Sequence, residues 1–89
     1  MTKILRATYL RDRVIELEFS DASVGAYDVS PLLERDTELT RALRDPEYFR
    51  RFFIDFGALC WPNGLELSPV AIHRRLEADG VLRRGSQVA

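Results

Sequence analysis

The chain has 89 residues, is 46% hydrophobic and 30% charged, and carries a formal net charge of −1. That length leaves no room for two ordinary domains, and the apolar content with balanced charge excludes wholesale disorder. No apolar run reaches bilayer-spanning length, and a single cysteine excludes a disulfide-stapled miniprotein.

What remains is one globular domain with a modest core. Area scaling for this mass buries about 64% of the unfolded surface, enough for a core but not for a deep substrate pocket as well. The opening Met1-Thr2-Lys3-Ile4-Leu5-Arg6 has no apolar stretch of signal-peptide length. A cytoplasmic protein with a reduced thiol is therefore expected, and no membrane association. The basic residues are 12 Arg and one Lys. Codon bias is the plainer explanation of that ratio, and selection for bidentate contacts the functional one.

Residues 3–10 and 14–19 read as the first two strands. Ile15, Leu17 and Phe19 alternate with Val14, Glu16 and Glu18, the period-two pattern of a half-buried strand. A three-residue loop between Leu10 and Val14 sets Tyr9 against Ile15, Ala7 against Leu17 and Leu5 against Phe19 on a dry face. Arg6 then faces Glu18 in solvent. Residues 24–29 form a third strand whose facing the pattern leaves open. If its loop also has three residues, Glu16 faces Asp28, and like charges oppose.

Ser30-Pro31 is a cap-then-proline signal opening a helical stretch to residue 44, anchored by Leu32, Leu33, Leu39 and Leu43. Asp45-Pro46 repeats the signal. Residues 52–56 and 58–61 read as two further strands around Gly57, and Trp61-Pro62-Asn63-Gly64 as a turn. Ser68-Pro69 opens a helix over about 69–79 that Gly80 ends. Residues 1–80 are thus one domain and 81–89 a flexible tail. Strands first and helices later give the α+β class: an antiparallel sheet of about five strands, short central helices and one C-terminal helix. An unpaired edge strand would permit a homodimer.

The runs FSDASVGAYDVSPLLE (19–34), LRDPEYF (43–49) and DFGALCWPNGLELSP (55–69) resemble a family of small bacterial proteins, the domain of unknown function family twenty-four forty-two. The likeness covers about residues 4–76, and its most specific part is the DFG…WPNG box. Ala22 stands where the family often has Gly, and Glu66 where Asp is usual. The resemblance implies a compact α+β domain without an established activity. It also implies a second small protein encoded nearby, in a toxin–antitoxin-like pair.

No GxGxxG, Walker-type, GxSxG, HExxH or paired CxxC motif occurs, so neither a cofactor nor a metal is expected. One His and one Cys leave no Cys/His zinc set. Cys60 and His73 are the only nucleophile–base pair of that type, against the plainer reading of Cys60 as a small buried hydrophobe. Asp28, Asp55 and Glu66 would serve a divalent cation or acid/base chemistry if they converged; otherwise they bond turn amides. Asp55-Phe56-Gly57 spells the kinase magnesium motif without any of its companions. Arg74, Arg75, Arg83 and Arg84 form a basic C-terminal cluster, which the plainer reading makes a solvated helix face and the functional readings a contact for phosphate or an acidic protein surface. Trp61, with Tyr48 and Phe53, is an interface anchor or part of the core.

The expected function is a non-enzymatic protein-interaction module, the antitoxin-like member of a pair, with Trp61, Arg74 and Arg75 as partner contacts. A nucleic-acid-binding module and a small metal-assisted hydrolase are the alternatives.

Overall fold

A computed structural model describes residues 1–84. The first three strands form a meander: β1 (Ile4–Arg11), β2 (Val14–Phe19) and β3 (Ser23–Asp28). Tyr9 pairs with Ile15, Ala7 with Leu17 and Arg6 with Glu18, the register expected from the dry-face argument. The Arg6–Glu18 ion pair closes at 3.4 Å. Two details differ. The turn itself is Asp12-Arg13, and a bulge between Tyr9 and Arg11 absorbs the extra residue. A second irregularity lets Ile4, not Leu5, oppose Phe19. Leu5 is left 60% exposed while Ile4 is buried. The cause is long-range: the Ile4 amide donates to the Gly57 carbonyl at 2.9 Å and ties β1 to a later hairpin.

The second turn has three residues, Ser20-Asp21-Ala22, but lies one position earlier than the loop that would set Glu16 against Asp28. Glu16 pairs with Ala26, and Asp28 lies opposite Val14. Like charges do not oppose. Ala22 takes φ 71°, the left-handed position that ends such a loop and that glycine fills without strain. The facing of β3 follows: Tyr27 and Gly25 join Ile15 and Leu17 on the core side.

The central segment is broken, not one helical stretch. α1 (Ser30–Leu33) and α2 (Glu38–Arg41) are separate turns, followed by a 3₁₀ turn at Ala42–Arg44. Thr37 and Thr40 cap each other reciprocally, and that capping box restarts the helix. Thr40 and Leu43 are buried and Leu39 faces out. Ser30 is not the cap of α1. The cap position is Val29, which makes no side-chain cap bond, and the Ser30 amide donates to Asp28 Oδ1 at 2.9 Å. Asp45 caps α3 (Pro46–Phe49), and Ser68 caps α4 (Pro69–Ala78).

β4 (Phe53–Asp55), β5 (Ala58–Cys60) and β6 (Glu66–Leu67) make a second antiparallel sheet. The α+β class holds, but the strands are divided between two sheets, of four and three strands. Residues 81–84 depart from the expected tail. Gly80 ends α4 at φ 71°, the Val81 amide returns to the Leu76 carbonyl, and β7 (Arg83–Arg84) pairs with Ser23 and Val24. Leu82 packs on the core above Gly25, where a β-carbon would lie 3.0 Å from Leu82 Cδ2. The remainder of that expected tail, 85–89, lies outside the described residues.

One core serves both sheets. Ile4, Ile15, Leu17 and Phe19 from the first meet Leu59 and Trp61 from the second, with Leu43, Phe49, Ile72 and Leu76 from the helical segments.

Candidate functional site

Trp61 belongs to that core and presents no surface. It is 1% exposed, and its indole N–H donates to the Phe49 carbonyl at 2.8 Å. Phe49 and Phe52 rings stand 5.8 and 6.3 Å from it. The expectation of a Trp61 partner contact is corrected here: its large apolar area and its one donor are both satisfied internally.

Cys60 and His73 do not meet. Cys60 is buried in β5, its Sγ directed to the Ala58 carbonyl. Burial pushes the thiol pKa up, and the carboxylates of Glu66 and Asp55 add to that. A protonated, enclosed thiol is a poor nucleophile. The three carboxylates do not converge either. Asp55 and Glu66 border one depression beside Cys60, whereas Asp28 lies at the end of β3 by Pro31 and Arg75. No group of three metal-ligating side chains occurs among the described residues.

The arginines of the C-terminal cluster are mostly engaged. Arg75 Nε bonds Asp79 Oδ2 at 3.0 Å, Arg83 reaches Glu16 at 3.1 Å, and Arg84 donates to the Asp21 carbonyl at 2.8 Å. Arg74 is exposed on α4 with no ion pair among the described residues.

Two arrangements escape the sequence. The first joins Asp21, Ser23 and His73. Asp21 Oδ1 accepts the Ser23 amide at 2.9 Å and the Ser23 hydroxyl. His73 Nε2 lies 2.9 Å from Asp21 Oδ2 and 3.4 Å from Ser23 Oγ. The Ser23 bonds, foremost, and His73 hold the Asp21 carboxyl at about 2, below its ordinary 3.8. These are the residue types of a hydrolytic triad, wired differently. The serine hydroxyl donates its hydrogen bond to the carboxylate, and one imidazole nitrogen faces both partners, so no free base addresses Ser23. The cluster is a clamp joining the β2–β3 turn to α4, with Phe19 packed edge-on to the imidazole at 4.9 Å. It borders an open depression of about 410 Å³ that also includes Glu77, Arg83 and Arg84. The available signal was Asp-x-Ser in a turn, a pattern that folds back on its own amides.

The second arrangement is the β4–β5 hairpin. Its turn is Phe56-Gly57, with φ 49° and 81°. Both values are left-handed, the pattern that normally selects Asn-Gly. Phe56 is nonetheless a phenylalanine and is 93% exposed, and Phe53 three residues earlier is 45% exposed. The turn is pinned from behind. Gly57 accepts the Ile4 amide, and a β-carbon on Gly57 would lie 2.7 Å from Lys3 Cβ.

The sequence pattern of the family described as "Protein of unknown function (DUF2442)" matches residues 4–78. The chain belongs to that family. Residues 4–78 take in both sheets' first six strands, the clamp and the pinned hairpin, so all of these lie within the DUF2442 region. No curated protein and no solved structure matches the chain. Among the described residues no helix is long and apolar enough to cross a membrane.

Proposed function

We propose that this DUF2442 chain is a non-enzymatic interaction module of the bacterial cytoplasm. It binds a small protein encoded nearby and acts as the antitoxin-like member of the pair. The observation that carries this reading is Phe56, an aromatic ring held almost fully in solvent on a turn that would be less strained with Asn. Strained backbone at a pinned surface position is where a binding role is sought first. Phenylalanine is among the residues enriched at protein interfaces relative to the rest of the surface. The two-gene arrangement rests on the family resemblance. With Trp61 in the core, Arg74 and Arg75 on the outer side of α4 are the remaining contacts expected from the sequence.

The test is co-expression of the tagged chain with the product of the adjacent reading frame. The Phe56→Ala chain is expected to recover less than about a tenth of the partner recovered by the unaltered chain, with no fall in melting temperature. Arg74→Ala with Arg75→Ala is expected to weaken recovery, again without a change in melting. Full recovery with all three substitutions would defeat the reading.

A further inference from the structure

We propose that Asn63-Gly64 is a site of spontaneous covalent modification, deamidation through a cyclic imide, and that the fold holds it shut with a latch of hydrogen bonds to α2 and α3.

Asn63 is the one asparagine of the chain, and glycine follows it. That order is the chemically labile one, because a glycine nitrogen approaches the preceding side chain with no β-carbon in the way. The step needs no reagent besides water. The Gly64 backbone nitrogen gives up its proton and attacks Asn63 Cγ. A bond forms between those two atoms, the Cγ–Nδ2 bond breaks, and ammonia leaves with the proton. Water then opens the five-membered imide at either carbonyl and gives aspartate or isoaspartate at position 63. Neither water nor space is short. Asn63 and Gly64 are exposed, and a β-carbon on Gly64 would meet nothing within 4 Å.

Hydrogen bonds supply the restraint. The Gly64 amide, whose proton must leave, donates to the Trp61 carbonyl at 3.1 Å. Asn63 Nδ2, the departing group, donates to the Leu39 carbonyl of α2 at 3.1 Å. Asn63 Oδ1 accepts the Leu65 amide at 3.1 Å. The Asn63 amide itself donates to Tyr48 Oη of α3 at 2.9 Å. Below the turn, the Trp61 amide donates to the Leu65 carbonyl at 3.0 Å and closes its base. Every polar group the reaction must move is therefore engaged, and the reactive geometry belongs to an opened turn. Where opening and closing are fast, the rate follows the population of the open form. The product matters to the fold as well. A carboxylate at position 63 has no N–H for the Leu39 carbonyl, so conversion removes the tie between the β5–β6 turn and α2 for good.

The experiment follows Asn63 in the full chain by peptide mapping and mass spectrometry during incubation at neutral pH, folded and in concentrated urea. The unfolded chain is expected to convert Asn63 about tenfold faster than the folded one, or more. Tyr48→Phe removes the hydroxyl that accepts the Asn63 amide, and should speed conversion of the folded chain about threefold or more. Leu82→Ala weakens the core above Gly25 instead, and should leave the folded rate unchanged. Circular dichroism confirms that both variants are folded. Equal rates in the folded and unfolded chain, or an unfolded chain that keeps its asparagine, would overturn the proposal. A Tyr48→Phe chain no faster than the native one would overturn it too. Equal acceleration by Leu82→Ala would do the same, since the gate would then be global unfolding and not the latch. Asn63→Asp supplies the product directly and should melt below the native chain; an unchanged melting temperature would show that conversion releases nothing.

Discussion

Phe56 adopts φ 49° although its side chain gains nothing from burial. A left-handed conformation costs an L-residue roughly 1–2 kcal/mol, and Asn or Gly tolerates it best. Phe56→Asn is therefore expected to stabilise the domain by about 1 kcal/mol and raise its melting temperature by about 4–8 °C. The same substitution should weaken partner recovery as Phe56→Ala does. A Phe56→Asn chain that melts lower would show that the ring supports the fold and would remove the main support for an interface. In the sequence Phe56 reads as the last residue of a strand over 52–56. The structure ends that strand at Asp55 and gives Phe56 to the turn, a change that apolar character alone cannot signal. Trp61 went the other way, from candidate anchor to core, because nothing local shows that its indole will find the Phe49 carbonyl.

Among the elements, the clamp of α4 on the β2–β3 turn has a pH signature. Asp21 titrates at about 2 in the fold against an ordinary 3.8, so its folded pKa is depressed. A depressed carboxylate contributes stability that is complete above its unfolded pKa and disappears as pH falls through the folded one. The melting-temperature gap between the native chain and Asp21→Asn should be constant above about pH 5 and should close between about pH 4 and about pH 2. A gap of equal size at both ends of that range would mean that the carboxylate charge is not what holds the turn. This clamp was illegible in the sequence because His73 lies 52 positions from Asp21. The first hairpin was legible because alternation of Ile15, Leu17 and Phe19 allows only one dry register. β3 was not, since Gly25 and Ala26 carry too little side chain to mark a face. The stretch to residue 44 misled in another way. Its leucines have helical spacing, but the reciprocal Thr37–Thr40 cap starts a new helix between them.

At the scale of the whole molecule, two small sheets share one core, and the C-terminal arm closes it. The arm carries Leu82 back over Gly25, where a β-carbon would lie 3.0 Å from Leu82 Cδ2 and 3.2 Å from Leu76 Cδ1. If the arm is an integral part of the fold, Gly25 and Leu82 are coupled, and a double-mutant cycle detects it. Leu82→Ala alone should destabilise by about 1–2 kcal/mol, since Leu82 is only partly buried. Gly25→Ala alone should destabilise by about 1–3 kcal/mol, as overpacking does in a filled site. Together they should cost less than the sum by at least about 0.5 kcal/mol, because the new methyl enters space that the shortened Leu82 has vacated. Denaturant unfolding of the four chains reads this directly. Strict additivity would place the arm outside the cooperative unit and restore a domain that ends at Gly80. Coupling would mean that the strand pairing of Arg83 and Arg84 with Ser23 and Val24 is held by packing beneath it. That packing sits next to the Asp21–Ser23–His73 clamp, so the turn, the helix and the arm would then unfold as one body.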